Sequence, residues 1–534
     1  MKRLTKYIAF IVLAVAFTSC NEWMNEGPQG ATKTTTQLAD AAAQNEAAAA
    51  ANLSAVYAQF IQLYSGLGDL GYSRHNDFGY AAICMFMDAQ TNDFVSPNIG
   101  YNWFGFSDWK NIRDNTLQTT DGLICHLVWN EYYKIIRACN VVIEGVDSEN
   151  PGLARGVLSQ ALAVRAFCYL QLAQLYQFTY GDDTKDLKCV PVVKDRMTAE
   201  QTEAIPRVTV DSVFRFIMAD LNYACDSLEG YGRADKGYVD QAVAFGLRAR
   251  ANLVMKNWKA AADDADKALQ LSGALPLTIE EAAVPGFASA SAHNVLWANI
   301  IVENNDVVQS GICNWVSHMS SFYGDGYTGV GATRWIASDL YAQIASTDVR
   351  KGWWLNESRQ SPLLDATGYR ELKSTIQGSA DYYPAYTNVK FGTGDGTVTG
   401  FGAAAGDWIL MRAEELLLIK AEGLARAGED GASVLSDFVT NYRDPNYNIN
   451  GHGLSVEDEI WWQRRVELWG EGFAFNDIMR LEKPIDRSNA TNWPDAWKLG
   501  VPAKHGVLLW RIPKSEIESN PGISDSDNNP YVAL

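Results

Sequence analysis

Two stretches hold the side chains best suited to gripping a ligand. YNWFGFSDW, Tyr101 to Trp109, places five aromatics in nine residues among Asn, Gly, Ser and Asp. That spacing matches neither a helix face nor a strand. Aromatic planes with nearby amides suit sugar rings, since the apolar ring face stacks and the hydroxyls find hydrogen-bond partners. The alternative is a satellite core beneath a long loop, and the segment alone leaves both open. Asn314 to Tyr327 is the second such stretch, with Trp315, Phe322, Tyr323 and Tyr327. Asn92, Asp93, Asn98 and Asn102 are candidates for polar contacts, or for holding turns.

Other chemistries find less support. There is no H-E-x-x-H, G-x-S-x-G or C-x-x-C. No pair of carboxylates is marked out for glycosidic cleavage. FGTGDGTVTGFG, Phe391 to Gly402, lacks the G-K-[ST] of a phosphate loop and reads as Gly-rich turns. Asp525-x-Asp527-x-Asn529 resembles the start of a calcium loop without its later Gly and Glu. No metal or cofactor is expected. Beyond Cys20 the cysteines are 84, 125, 139, 168, 189, 225 and 313. Their odd number and spacing favour buried, inert thiols over a disulfide framework or a metal site.

Helices must carry these loops. Leu158 to Gln177 lacks Gly and Pro and is apolar on every face, so it predicts a core helix. Its one guanidinium, Arg165, then needs a carboxylate. Leu38–Leu63, Trp129–Val146, Val208–Leu228, Ile409–Ala427 and Gly431–Tyr442 also read as helical, with Asp211 as an N-cap. Gln241–Met255 and Trp258–Leu271 form a tetratricopeptide-like hairpin, in which Ala261, Ala265 and Ala268 permit close approach. Between 273 and 406 the composition turns Gly- and aromatic-rich, a loop-rich insertion with short strands. There, Asp348 and Arg350 could order a loop by pairing. WWQRRVELWGEGFAFNDIMRL, Trp461 to Leu481, sets charges among aromatics, which implies a paired buried network.

The N-terminus reads as an export signal over 1–19: Lys2, Arg3 and Lys6 precede a short apolar run that ends at Thr18-Ser19-Cys20. The end of that run resembles a bacterial lipobox, with Phe17 where Leu is commoner, and implies lipidation of Cys20. A polar tether follows to 37. Without the three basic residues of the signal, 41 Lys+Arg face 63 Asp+Glu, a net charge of −22. That disfavours nucleic acid and, more weakly, polyanionic ligands. No later apolar run is expected to cross a membrane.

In order along the chain stand D-A-x-T-N-D at 88–93, L-A-V-R-A-F at 162–167 and D-x-R at 348–350. I-L-M-R-A-E-E-L-L-L-I-K-A-E at 409–422, R-R-x-E-L-W-G-E-G-F-A-F-N-D at 464–477 and I-P-x-S-E-I-x-x-N-P at 512–521 follow. With the lipobox, this series resembles the SusD/RagB family of outer-membrane lipoproteins of Bacteroidetes. The resemblance implies a mostly α fold, with a scaffold of tetratricopeptide-like helical pairs and a loop-rich, aromatic-rich lobe. Helical regions over 38–272, holding the aromatic loop 94–110, and over 407–534 would flank the insertion 273–406. It implies a non-catalytic, cell-surface glycan-binding protein, lipid-anchored and facing the exterior, that delivers glycan to a SusC-like TonB-dependent transporter. Trp103 falls where relatives place a stacking Trp, and Trp315, Tyr323 and Tyr327 where they place further aromatics. The motif Arg and Glu residues become scaffold ion pairs. A peptide-binding relative, a tetratricopeptide peptide adaptor and a surface glycoside hydrolase remain the rival readings.

Overall fold

The computed structural model describes residues 37, 41, 45–63, 75–96, 101–104, 122–146 and 152–532. Cys20, residues 21–36 of the tether and Asn98 lie outside them, as do most of the aromatic loop's residues.

The longer elements follow in chain order. The opening helical pattern condenses to α1, Glu46–Ala58, capped by the Asn45 side chain. Next come α2, Tyr80–Asp88, and β1, Phe94–Val95. Then come α3, Leu123–Glu144, and α4, Arg155–Tyr176, of 22 residues each. By length and composition α4 could cross a membrane, but its apolar window is 94% buried inside the protein, so it is the core helix its sequence predicts. After it come α5, Val210–Ser227, α6, Gln241–Val254, and α7, Trp258–Ser272. Thr209, rather than Asp211, caps α5: its hydroxyl accepts from the Ser212 amide at 3.2 Å. Asp211 lies inside the first turn, where its charge suits the helix dipole.

The insertion contributes β2, Val295–Asn299, a short helix α8, Trp315–Met319, and β3, Trp335–Ile336. The predicted helix from Ile409 starts later. Residues Trp408–Arg412 form β4, antiparallel to β2, and α9 begins at Ala413. Ile, Leu and Met suit either state, and the backbone of β2, far away in sequence, decides it. The chain closes with α10, Gly431–Tyr442, α11, Val456–Glu467, and α12, Ala474–Arg480. Between α11 and α12 the chain turns at Gly470 and Gly472, whose φ values of 78° and 84° favour glycine.

Helices pack as successive neighbours, α3 on α4, α4 on α5, α5 on α6, α6 on α7, then α7 on α9 and α9 on α10. Ala261, Ala265 and Ala268 are fully buried in this stack. At the α7–α9 crossing Gly423 is required: a Cβ there would lie 2.5 Å from the Trp258 carbonyl oxygen. Two small sheets tie the loops to this scaffold. β1 pairs with β3 through Phe94↔Ile336 and Val95↔Trp335, and β2 pairs with β4.

The buried charges form a paired network that joins helices, strand β4 and the loops between them. Arg412 reaches Glu467 and Glu471 at 2.8 Å, and Glu414 at 3.1 Å. Arg443 bonds Glu467 at 2.8 Å and Glu414 at 3.0 Å. Arg350 bonds Asp348 at 2.7 Å and Glu467 at 3.3 Å, and Lys390 bonds Glu471 at 2.6 Å. Four cations thus face four carboxylates, which keeps the buried charge near neutrality. Burial alone would protonate Glu467, but Arg443, Arg412 and Arg350 hold its carboxyl well below the usual range. A second group joins Arg464 to Asp477 at 2.7 Å and Arg480 to Glu422 at 2.6 Å. Arg165 finds Asp220 and Asp195, each at 2.8 Å.

Candidate functional site

The site is built where 75–78 and 101–104 meet the insertion. Trp103 is partly buried and stacks on His75, with ring centroids 4.2 Å apart and planes within 6°. Asn76 holds this arrangement by donating its amide to the Trp103 carbonyl at 2.7 Å. The His75 ring meets Tyr327 edge-on at 5.8 Å, and its Nδ1 bonds the Tyr327 hydroxyl. Behind Tyr327 lies His318, stacked at 4.7 Å, which bonds the His75 carbonyl through Nε2 at 2.7 Å. Phe78 and Phe104 pack on His318 from other sides.

Burial shapes the protonation of this cluster. It lowers the pKa of both histidines, His318 well below the ordinary value with the nearby Arg334 adding to the effect, so both rings are neutral at pH 7. Burial also pushes the Tyr327 hydroxyl up to about 12, which leaves a neutral phenol. Arg334 lies over Phe104 at 5.6 Å, donates to the Ala332 carbonyl at 2.8 Å, and is lowered to about 9 by desolvation. The rim is apolar and open: Tyr101 is 67% exposed, Val330 45% and Tyr382 47%. Tyr382 rests on Gly331, where a Cβ would come within 2.9 Å of its ring. Neutral aromatic faces with hydroxyl and imidazole edges can stack on a polyhydroxylated ring and bond its hydroxyls.

The other aromatic candidates fall elsewhere. Trp315 was expected on an exposed face, yet it is 1% exposed and donates its indole N–H to the Gly406 carbonyl at 2.7 Å. Trp408 and Phe391 meet its edges. Tyr323 is 2% exposed, with its hydroxyl donated to the Gly311 carbonyl at 3.2 Å. These two rings are core because the insertion folds back onto β4 and fills the space with its largest side chains. Tyr327 joins the Trp103 cluster through His75, but it is buried as well, at 6% exposed, and stands behind the surface instead of on it.

The polar candidates are occupied by the fold. Asp93 forms a bidentate pair with Arg465 at 2.6 and 2.8 Å, and its carbonyl accepts from Trp469 at 2.9 Å. Asn92 accepts from the Asp486 amide at 2.8 Å. Asn102 is buried, donates to Ser96 at 3.1 Å and accepts from the Phe104 amide at 3.0 Å. Asn102 thus holds its own turn, whereas Asn92 and Asp93 tie their loop to distant segments. His75 was not read from the sequence, because a lone His in a polar stretch carries no pattern.

Comparison with known proteins agrees with this architecture. A family model described as "Starch-binding associating with outer membrane" matches residues 82–231, and one described as "SusD family" matches 350–531. The chain belongs to the SusD/RagB family. A SusD-like protein of Bacteroides ovatus is 25% identical over 184 residues, which span 34% of this chain and 30% of that relative. A SusD-like carbohydrate binding protein from Bacteroides vulgatus shares the fold with a TM-score of 0.70 at 23% identity, over 90% of this chain and 97% of that one. A SusD superfamily protein from Bacteroides thetaiotaomicron gives 0.67 at 21% identity, over 90% and 99% of the two chains.

In this SusD/RagB-family protein the motif charges are scaffold. The Asp88 carboxylate accepts from the Gly472 amide at 2.9 Å, and Arg465 closes on Asp93 across 372 residues of sequence. Asp348 and Arg350 pair as expected. Near the C-terminus, Asp527 pairs with Lys188 and Asn529 donates to the carbonyls of Tyr176 and Trp510. The seven described cysteines are buried. Burial raises the pKa of Cys84, Cys125, Cys139, Cys168, Cys189 and Cys225, which keeps them protonated and unreactive.

Proposed function

We propose that this protein is a cell-surface glycan-binding lipoprotein that captures oligo- or polysaccharide and passes it to a SusC-like TonB-dependent transporter without cleaving it. The observation that carries this reading is the aromatic arc of half-buried Trp103 and His75, backed by buried Tyr327 and flanked by exposed Tyr101, on a SusD/RagB scaffold. The arc offers stacking faces and neutral hydrogen-bonding edges, and the candidate carboxylate Asp93 is locked to Arg465. Capture of a polymer needs no proton donor, whereas hydrolysis needs two placed carboxyl groups.

The decisive experiment is calorimetry of the soluble form against a polysaccharide panel, with Trp103→Ala beside wild type. Losing one stacking ring removes on the order of 1–2 kcal/mol of apolar contact, about ten-fold in affinity. The melting temperature is expected to stay close to wild type, since Trp103 lies at the margin of the core. Unchanged affinity would place the site elsewhere, and turnover of the bound glycan would favour a hydrolase.

Anchoring is tested separately. Lipidation at Cys20, followed by Glu22 and Glu26, is the reading that places the protein on the outer face of the outer membrane. Cys20→Ala is expected to release the protein from the membrane fraction and from protease shaving of whole cells, because stable anchoring requires the acyl chains. A variant that stays membrane-bound and surface-exposed would refute it.

A further inference from the structure

A second pocket lies away from the aromatic arc, between α1, the segment before α6, and the end of β2. Its volume is about 170 Å³, and Tyr57, Ile61, Asp235, Gly237, Tyr238 and Asn299 line it. That is smaller than the roughly 300–1,000 Å³ of pockets for drug-sized ligands, so it suits a single ring.

Its walls are polar on one side and aromatic on the other. Tyr57 and Tyr238 meet edge to face, with centroids 4.9 Å apart. The Tyr57 hydroxyl is spent on the fold: it donates to Gln160 and accepts from the Val239 amide, both at 3.0 Å. The Tyr238 hydroxyl shares a 3.1 Å bond with Ser54 at the surface. Asp235 accepts from the Gly237 amide through Oδ1 at 2.7 Å and is otherwise exposed.

Asn299 is the anomaly. It is 7% exposed, and its Nδ2 has no hydrogen-bond partner. Its backbone is fixed in β2 opposite Trp408, and the residue stands between this pocket and a small apolar cavity lined by Phe60, Trp315 and Trp408. A buried amide without partners costs about 1–3 kcal/mol, and an apolar residue would avoid that cost. Gly237 keeps the space beside it open: a Cβ there would come within 3.3 Å of the Ile300 side chain and 2.9 Å of Asp235.

We infer that this pocket is a second carbohydrate site, which takes one pyranose unit, free or at a chain end, with Asn299 bonding its hydroxyls. A ring of that size can lie against the tyrosines, give hydroxyl protons to Asp235, and accept from the buried Asn299 Nδ2–H once that side chain turns toward it. The ligand carries no acidic group, because Asp235 at the mouth repels one and lies close enough to Asp407 to help raise its pKa.

The test is saturation-transfer NMR and titration of the full mature chain with glucose, galactose, mannose and N-acetylglucosamine. At least one is expected to bind, and Trp103→Ala is expected to bind it equally well. Asn299→Ala is expected to weaken binding about ten-fold or more while leaving the melting temperature unchanged or raised, since it removes an unpaired amide. Gly237→Ala, which fills the pocket without touching Asn299, is the second variant and decides the matter if Asn299→Ala fails to fold. Absence of binding by all four sugars, loss of binding in Trp103→Ala, or full affinity in a folded Asn299→Ala would each overturn the inference. None of these results alters the proposal for the arc, which is read with polysaccharide.

Discussion

Glu467→Ala is expected to lose about 3–5 kcal/mol of stability, the cost of removing one partner from a fully buried ion pair. The carboxylate accepts from Arg412 and Arg443 at 2.8 Å and from Arg350 at 3.3 Å, and it is 0% exposed. Without it, four buried cations would face three carboxylates in a medium where charge is poorly solvated. Denaturant unfolding measures the loss, and a wild-type midpoint would contradict the scaffold role. The pH dependence carries a definite sign. Glu467 is held below its ordinary pKa of 4.5, so its contribution is present above that value and is lost as pH falls through the lower folded value. Glu467→Gln is expected to flatten the acid limb of the stability profile relative to wild type.

Trp315→Ala is expected to cost about 3–5 kcal/mol as well, through the cavity left by a large core ring. The Gly406 carbonyl would also lose its donor. Paired with Trp103→Ala, this variant separates the two aromatic stretches that look alike in sequence. Thermal melting is expected to fall sharply for Trp315→Ala and little for Trp103→Ala, with the affinity effect reversed. A Trp315→Ala protein that melts like wild type but no longer binds glycan would return Trp315 to the ligand surface.

The scaffold pairing was legible because charge inside an apolar helix has one economical solution. Arg412, Arg464, Glu467 and Glu471 sit among buried side chains whose pattern is local, so their need for partners could be inferred without knowing them. Arg465 shows the limit of that inference. Its neighbour Arg464 turns to Asp477, 13 residues on, while Arg465 turns to Asp93, 372 residues back.

Within the SusD/RagB-family fold, local pattern determined the long helices, the tetratricopeptide-like hairpin, the buried thiols and the need for buried ion pairs. Each depends on periodicity or on the cost of an unpaired charge, both properties of a short stretch of chain. Tertiary structure alone decided which aromatics are free to meet a ligand. Trp103 and Trp315 have similar neighbours in sequence, but Gly406 and Trp408 arrive from 91 and 93 residues away to enclose Trp315. His75 arrives from the other direction to support Trp103 while the rim beside it stays open. The conversion of 408–412 from predicted helix to strand has the same origin, because β2 supplies the backbone partners that local propensity cannot see.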